Sequence, residues 1–400
     1  MLINFSDTAT AFRNKSDFDL RKSYILFSTL GSPAIVKMGK GLTEFAFKSG
    51  LPVKGLIKKT VFNQFCGGES IEDCGESIDK LIEAGVGSIL DYSVEGKEIE
   101  DEFDRTKDTV VHSIEYASEK VGVPIAVFKP TGMGRFALYE KKSAGDDLTP
   151  QEEAEWQRVV GRYTEICDAA DKFNIPVMVD AEESWIQDAV DELVTQLQMQ
   201  HNRERVVVLN TIQFYRHDRL EFLKRSLEHA EQNGYFYGVK IVRGAYMEKE
   251  RDRAEEMGYE SPIQPDKASS DRDYDAGIRL LMENIHRINF VCGTHNEASS
   301  QLLVSLMAEN DIDPGDRRIW FAQLYGMSDH ISFNLAAAGY NVVKYLPFGP
   351  VKDVMPYLIR RAEENTSVRG QTGRELGLIK AELRRRKQEK HQPATDHSQV

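Results

Sequence analysis

The sequence predicts an α/β fold of the (β/α)8, TIM-like class, and three observations carry that expectation. From residue 85 onward, eight short runs rich in β-branched residues alternate with amphipathic stretches. The runs are almost continuously apolar, as strands covered on both faces are in parallel sheets. Polar and ionisable residues collect at the carboxyl ends of these runs, the end at which a barrel builds its site from several loops. A doubly wound open sheet is the second topology that such alternation allows.

Residues 1–84 read as a helical arm, with apolar residues at helical spacing broken by Gly and Pro. Within it Phe65–Cys74, FCGGESIEDC, is a turn followed by a new helix start. Its two cysteines have no second pair and no neighbouring His, so a metal loop is a poor reading. The barrel is expected over residues 85–372. Its strands are Ser88–Ser93, Pro124–Pro130, Pro176–Glu182, Val206–Gln213, Tyr237–Gly244, Asn289–Asn296, Arg318–Gly326 and Val342–Leu346. The clearest helix begins at Thr149: Thr149 caps, Pro150 takes the first position, Glu152 completes a capping box, and the run continues to Phe173. GMGRFA, Gly132–Ala137, matches a dinucleotide fingerprint, but no convincing helix opens before Lys141, and it reads as a turn. Residues 373–400 are a helix end and polar tail. The basic run Arg384–Lys390 reads as a solvated helix, with peripheral membrane contact as the second reading.

Tyr345–Asn365 carries the most chemistry. Pro347, Gly349 and Pro350 are expected to close the last strand, with Asp353 as N-cap and Pro356 at the third helical position. Arg360 and Arg361 then lie about 100° apart on the helix surface, with Glu364 four residues after Arg360 to pair with it. Alone, such a pair reads as a solvated, dipole-matched face. Beside a barrel mouth, two planar guanidiniums suit a small carboxylate.

A net charge of −13 argues against a nucleic-acid surface, so an anionic substrate needs local cations. Four cysteines without disulfide density, an acid-containing N-terminus and no long apolar run lead us to expect a reduced, cytoplasmic chain. Other reactive residues sit at strand ends, namely Lys129, Asp180, Gln213, Thr294, His295, Asn296, Leu324, Tyr325 and Tyr345, while Lys240 lies inside the fifth strand and Tyr246 follows it. Neighbouring strands lie about 4.8 Å apart, which puts Lys129 and Asp180 within ion-pair reach.

VKIVRGAYMEKE (Val239–Glu250) and Tyr345–Ser367 resemble signature segments of the proline dehydrogenase family, and FCGGESIEDC, VFKP, VMVDAEES and GTHN fall in matching order. The resemblance runs from about residue 60 to 380. It implies a distorted (β/α)8 barrel with its last helix over the mouth. It also implies FAD, oxidation of L-proline to Δ1-pyrroline-5-carboxylate, and a quinone as electron acceptor. Carried over by position, Arg360 and Arg361 hold the proline carboxylate and Glu364 orients them. Lys129, Asp180 and Lys240 take catalytic places, Tyr246 and Tyr345 wall the proline ring, and Leu324 packs against it. The implied flavin contacts are Ala181, Gln213, Lys240, Val242, Arg243, Gly244, Ala245, Thr294, His295 and Asn296, with no metal.

Many relatives have Arg at the place of Lys240, which keeps the charge but loses the fork. Tyr345 favours proline, since relatives that prefer hydroxyproline tend to lack it. The chain is without an aldehyde-dehydrogenase half, so the product passes or diffuses to a pyrroline-5-carboxylate dehydrogenase. Hydroxyproline dehydrogenase, a Schiff-base lyase using Lys129 or Lys240, and a non-catalytic proline-binding barrel are the rival readings.

Overall fold

The computed structural model describes residues 2–32, 37–38, 54–94, 98–367 and 369–391, and of residues 56, 363–367 and 369–372 the backbone alone. Its strands are β1 (Val86–Tyr92), β2 (Ala126–Phe128), β3 (Val177–Val179), β4 (Val208–Gln213), β5 (Tyr237–Val242), β6 (Ile288–Gly293), β7 (Ile319–Leu324) and β8 (Val342–Phe348). All pair in parallel, in the order β1-β8-β7-β6-β5-β4-β3-β2. A doubly wound sheet reverses its order at a switch point. Here each strand follows its neighbour in sequence and β8 returns to β1, so the sheet is a nearly closed (β/α)8 barrel. Among the described residues no ladder pair joins β1 to β2, and a seam runs between them.

Side chains alternate along each strand. Ile89, Val127, Met178, Leu209, Val291 and Val343 fill the barrel axis. Their neighbours one residue away, such as Leu90, Phe290, Cys292 and Val342, pack outward under the helices.

Several boundaries differ from expectation. β2 and β3 are three residues each, because Pro124, Pro130 and Pro176 stand at their ends and donate no ladder hydrogen bond. β8 does not close at Pro347 but continues to Phe348. The Pro347 carbonyl accepts from the Gly67 amide at 2.8 Å, and Gly68 bridges Phe348, so the CGG turn lies along the strand's end. Asp353 is not the N-cap of the next helix, Met355–Ser367. Its own amide is used in a turn to the Pro350 carbonyl at 2.8 Å, and Val354 accepts from Leu358 at 3.1 Å instead. Pro356 is therefore the second helical residue. GMGRFA contains the end of a short 3-10 turn, but a helix opens already at Phe136, earlier than the two lysines of its last turn suggested. The Thr149 capping box forms as expected over Pro150–Phe173.

The two ends of the chain meet over the barrel. Helix Asp17–Leu30, capped by Ser16, lies against helix Arg369–His391. Phe12, Leu20, Phe27, Leu378 and Ile379 bury one cluster with Val351, Val354 and Tyr357. The basic run is not wholly solvated. Arg386 reaches back to the carbonyls of Lys15 (2.7 Å) and Phe12 (2.8 Å) and to Asp17 (3.1 Å). Among the described residues no helix is long and apolar enough to cross a membrane.

Candidate active site

Two residues beyond the apolar plug, on the same strand face, stand Asp91, Lys129, Asp180 and Tyr345, with Lys240 inside β5. They form one continuous chain of opposite charges. Ser93 Oγ donates to Asp91 Oδ2 at 2.7 Å, and Lys129 Nζ donates to Asp91 Oδ1 at 2.6 Å. Lys129 lies 3.4 Å from Asp180 Oδ2. The Lys240 ammonium binds the other Asp180 oxygen and the Tyr345 hydroxyl, the latter at 2.7 Å. That hydroxyl lies 3.3 Å from Asp180 Oδ1, and Lys240 Nζ sits 4.8 Å from the tyrosine ring centre.

Two carboxylates and two ammoniums cancel, which is what makes their burial affordable. Burial pushes the Asp180 carboxyl up, but Lys240 and then Lys129 outweigh it and hold it below the usual range. Burial, and after it Asp180, drives the Tyr345 phenol far up, so it stays protonated.

Beside β5 and β6, Arg243 is spent on the protein. It binds Asp271 Oδ1 (2.6 Å), Thr294 Oγ1 (2.9 Å) and Ser299 Oγ (2.9 Å), with its guanidinium 4.2 Å from the Tyr274 ring centre. Gly244 has φ +128, and a Cβ there would meet the Tyr215 ring at 2.5 Å, so only glycine fits. Asn296 caps helix Glu297–Glu309. His295 Nδ1 meets Ser328 Oγ at 2.8 Å. Burial, then Lys344 and Arg361, lowers the imidazole to about 3, which leaves it neutral at physiological pH.

The arginine pair divides. Arg360 stands 5.8 Å from the Tyr246 ring centre, while Arg361 is buried 5.2 Å from the ring of Tyr357 on its own helix. The side chain of Glu364 lies outside the described residues. Leu324 joins the barrel plug to the cluster beneath the last helices. Ala181 and Val242 are half-buried and Ala245 is exposed.

Sequence reasoning passed over Asp91, Asp271, Ser299 and Ser328. Asp91 had a readable signal, since it lies one residue inside the end of β1 on the inward-facing parity of Ile89. The other three are distant partners that no local pattern marks.

A profile of the proline dehydrogenase family matches residues 74–374. This chain belongs to the proline dehydrogenase family. It is therefore a member of a family of oxidoreductases. Proline dehydrogenase 1, mitochondrial, of Arabidopsis thaliana is 31% identical over 96% of this chain and 86% of its own length. A hydroxyproline dehydrogenase of Xenopus laevis is 30% identical over 96% of this chain and 90% of its own. Carbapenem antibiotics biosynthesis protein CarD of Pectobacterium carotovorum is 34% identical over 88% and 91%. Among solved structures, proline utilization A of Bdellovibrio bacteriovorus inactivated by N-propargylglycine has a TM-score of 0.69 at 21% identity, over 89% of this chain. The chain spans 38% of that structure's length, and the likeness is one of fold.

The residues present suit a flavin dinucleotide. Gln213 ends β4 and is buried, with Val242 of β5 as its ladder partner. Lys240 lies on the neighbouring strand and Arg243 directly follows it, two cationic donors for a dinucleotide's phosphates or ring oxygens, each balanced by a carboxylate of the protein.

Proposed function

We propose that this protein oxidises L-proline to Δ1-pyrroline-5-carboxylate with FAD as its cofactor. The observation that carries the reading is the charge-balanced Lys129–Asp180–Lys240–Tyr345 set at the barrel mouth, within a family match that also spans the arginine pair. Arg360 and Arg361 take the substrate carboxylate, and Tyr246, Tyr345 and Leu324 confine the ring. Gln213, Lys240, Val242, Arg243, Gly244, Ala245, Thr294, His295, Asn296 and Ala181 would hold the FAD. When bound, FAD accepts a hydride from the ring carbon next to nitrogen. The protein's part is to hold substrate and acceptor in near-contact and to keep water out.

Electrons pass to a quinone, and the product passes to a pyrroline-5-carboxylate dehydrogenase. Four buried, free thiols fit a reducing compartment, which supports a cytoplasmic place, with membrane contact at most peripheral. A second reading, oxidation of hydroxyproline, is favoured by the likeness to the Xenopus hydroxyproline dehydrogenase.

The test is the visible spectrum of the purified protein followed by steady-state kinetics on proline. Flavin bands that bleach with proline support the reading. A colourless protein trapped by borohydride with a carbonyl compound overturns it in favour of a Schiff-base lyase. Charge-assisted hydrogen bonds contribute about 1.5–3 kcal/mol each, so Arg361→Met is expected to raise the KM for proline by about ten-fold to a hundred-fold, flavin still bound. An unchanged KM removes Arg361 from the carboxylate clamp.

A further inference from the structure

Asp91 lies outside every motif that points to the site, yet it stands nearer to Lys129 than Asp180 does. Lys129 Nζ is 2.6 Å from Asp91 and 3.4 Å from Asp180. We propose that Asp91 is a positioning residue for the oxidation of proline, acting by fixing the ammonium group of Lys129; the inference rests on the function proposed above.

Three observations carry it. Asp91 is 4% exposed, and a carboxylate buried so deeply needs a defined partner. Ser93, fully buried, occupies Oδ2 and leaves Oδ1 for the lysine, so the carboxylate is oriented as well as paired. The Lys129–Asp91 contact also crosses the seam between β1 and β2, where no ladder pair among the described residues fixes one strand end against the other. The β2–β3 ladder aligns Lys129 with Asp180, and the Asp91 side chain ties the Lys129 ammonium to the end of β1 across the seam. Without Asp91, Lys129 has one acidic partner left in this set, Asp180. It would turn to that carboxylate and compete with Lys240, loosening the 2.7 Å bond from Lys240 to Tyr345. The arginine pair is carried by a different element, helix Met355–Ser367. Disturbing Asp91 should therefore slow the reaction while leaving substrate binding nearly intact.

The experiment uses the full-length, flavin-loaded protein. Asp91→Asn is expected to lower kcat on proline by at least about ten-fold with KM changed by less than about three-fold, since one charge-assisted contact is lost. Asp91→Glu should recover part of the rate, and Asp91→Asn added to Lys129→Met should be no slower than Lys129→Met alone. An unchanged kcat, or a double variant slowed by the full product of the single effects, overturns the proposal, because a merely structural ion pair behaves that way. If Asp91→Asn does not fold, Ser93→Ala serves instead: a lower kcat at constant KM supports the inference, and wild-type kinetics overturn it. If the wild-type protein does not oxidise proline, the proposed function falls but Asp91 is still tested. Reductive methylation with formaldehyde and cyanoborohydride, read by peptide mass spectrometry, should then label Lys129 faster relative to Lys240 in Asp91→Asn than in wild type, and equal labelling overturns the proposal.

Discussion

At the residue scale, Tyr345 changes meaning between sequence and structure. Its position suggests an apolar wall that gives a substrate hydroxyl no room and no partner. In the structure its own hydroxyl is engaged by Lys240 and Asp180 inside the barrel, so ring and hydroxyl have separate duties. The ring fills space, and the hydroxyl helps to fix the two charges. Tyr345→Phe should keep a preference for proline over trans-4-hydroxyproline of at least about ten-fold in kcat/KM, because the ring remains. It should cost about 1–3 kcal/mol of stability in urea unfolding, because two buried charges each lose a hydrogen-bond partner. Tyr345→Ser should lose that stability and also narrow the substrate ratio, by lowering activity on proline. Measuring both variants on both substrates separates the duties: if Phe and Ser narrow the ratio equally, the hydroxyl and not the ring selects. Lys129 and Asp180 were legible from sequence because strand ends in a barrel converge. Asp91 obeys the same parity but lies one residue inside the end of β1, in a segment with no motif beside it.

At the element scale, the last helix is pinned by an ionisable group. Glu375 is 3% exposed and accepts from the Ser328 amide at 3.1 Å, while Ser328 Oγ meets His295. Asp329, His330, Lys15 and Lys344 face the same carboxyl. Burial, then Asp329, raises Glu375 from 4.5 to about 7. Between those two values the folded chain keeps a proton that the unfolded chain has shed. This contribution is present in full below about pH 4.5 and is lost as the pH rises toward 7. Glu375→Gln keeps the acceptor without the charge, so its unfolding free energy relative to wild type should grow across that window, by up to about 3 kcal/mol. Urea unfolding at half-unit pH steps reads this, and a difference that is flat with pH removes the helix pin. His295, depressed to about 3, has the opposite slope, so the variant should also lose stability more steeply than wild type as the pH falls from 6.5. Elements were legible where burial on both faces left continuous β-branched runs, as in β4 and β5. The extent of β2 and β3 was not, because flanking prolines end a ladder that hydrophobicity alone extends. The start of the arginine helix was misread because the turn at Pro350–Asp353 uses the Asp353 amide.

At the scale of the whole molecule, the barrel mouth is covered by segments from opposite ends of the sequence. No local pattern reveals such a pairing, which is why the N-terminal arm read as a separate helical segment and Arg384–Lys390 as a solvated run. Arg386 is the centre of the clasp: it bonds two backbone carbonyls and Asp17 across more than 360 residues, and Glu382 on its own helix orients it. Lys390 adds a second contact to Asp17 at 2.5 Å, and Arg374 bonds Ser6 and Glu297, both at 2.8 Å. The apolar cluster beneath also holds Val354, Tyr357 and Leu358, so the arginine-bearing helix is seated on the same unit. Arg386→Ala strips hydrogen bonds from the Phe12 and Lys15 carbonyls and leaves the fully buried Glu382 with Arg385. Losing one partner of such a network costs about 1–3 kcal/mol, far less than the barrel's own cohesion. The outcome should therefore be local. Native-state hydrogen exchange should show protection falling together in residues 17–30 and 369–391 while β4–β7 keep theirs. The KM for proline should rise with it, since Arg360 and Arg361 lose their seat. Protection lost in one helix alone would mean that the two segments do not open as a unit. A uniform loss across the strands would mean that the clasp is part of the barrel's global stability and not a cover held over its mouth.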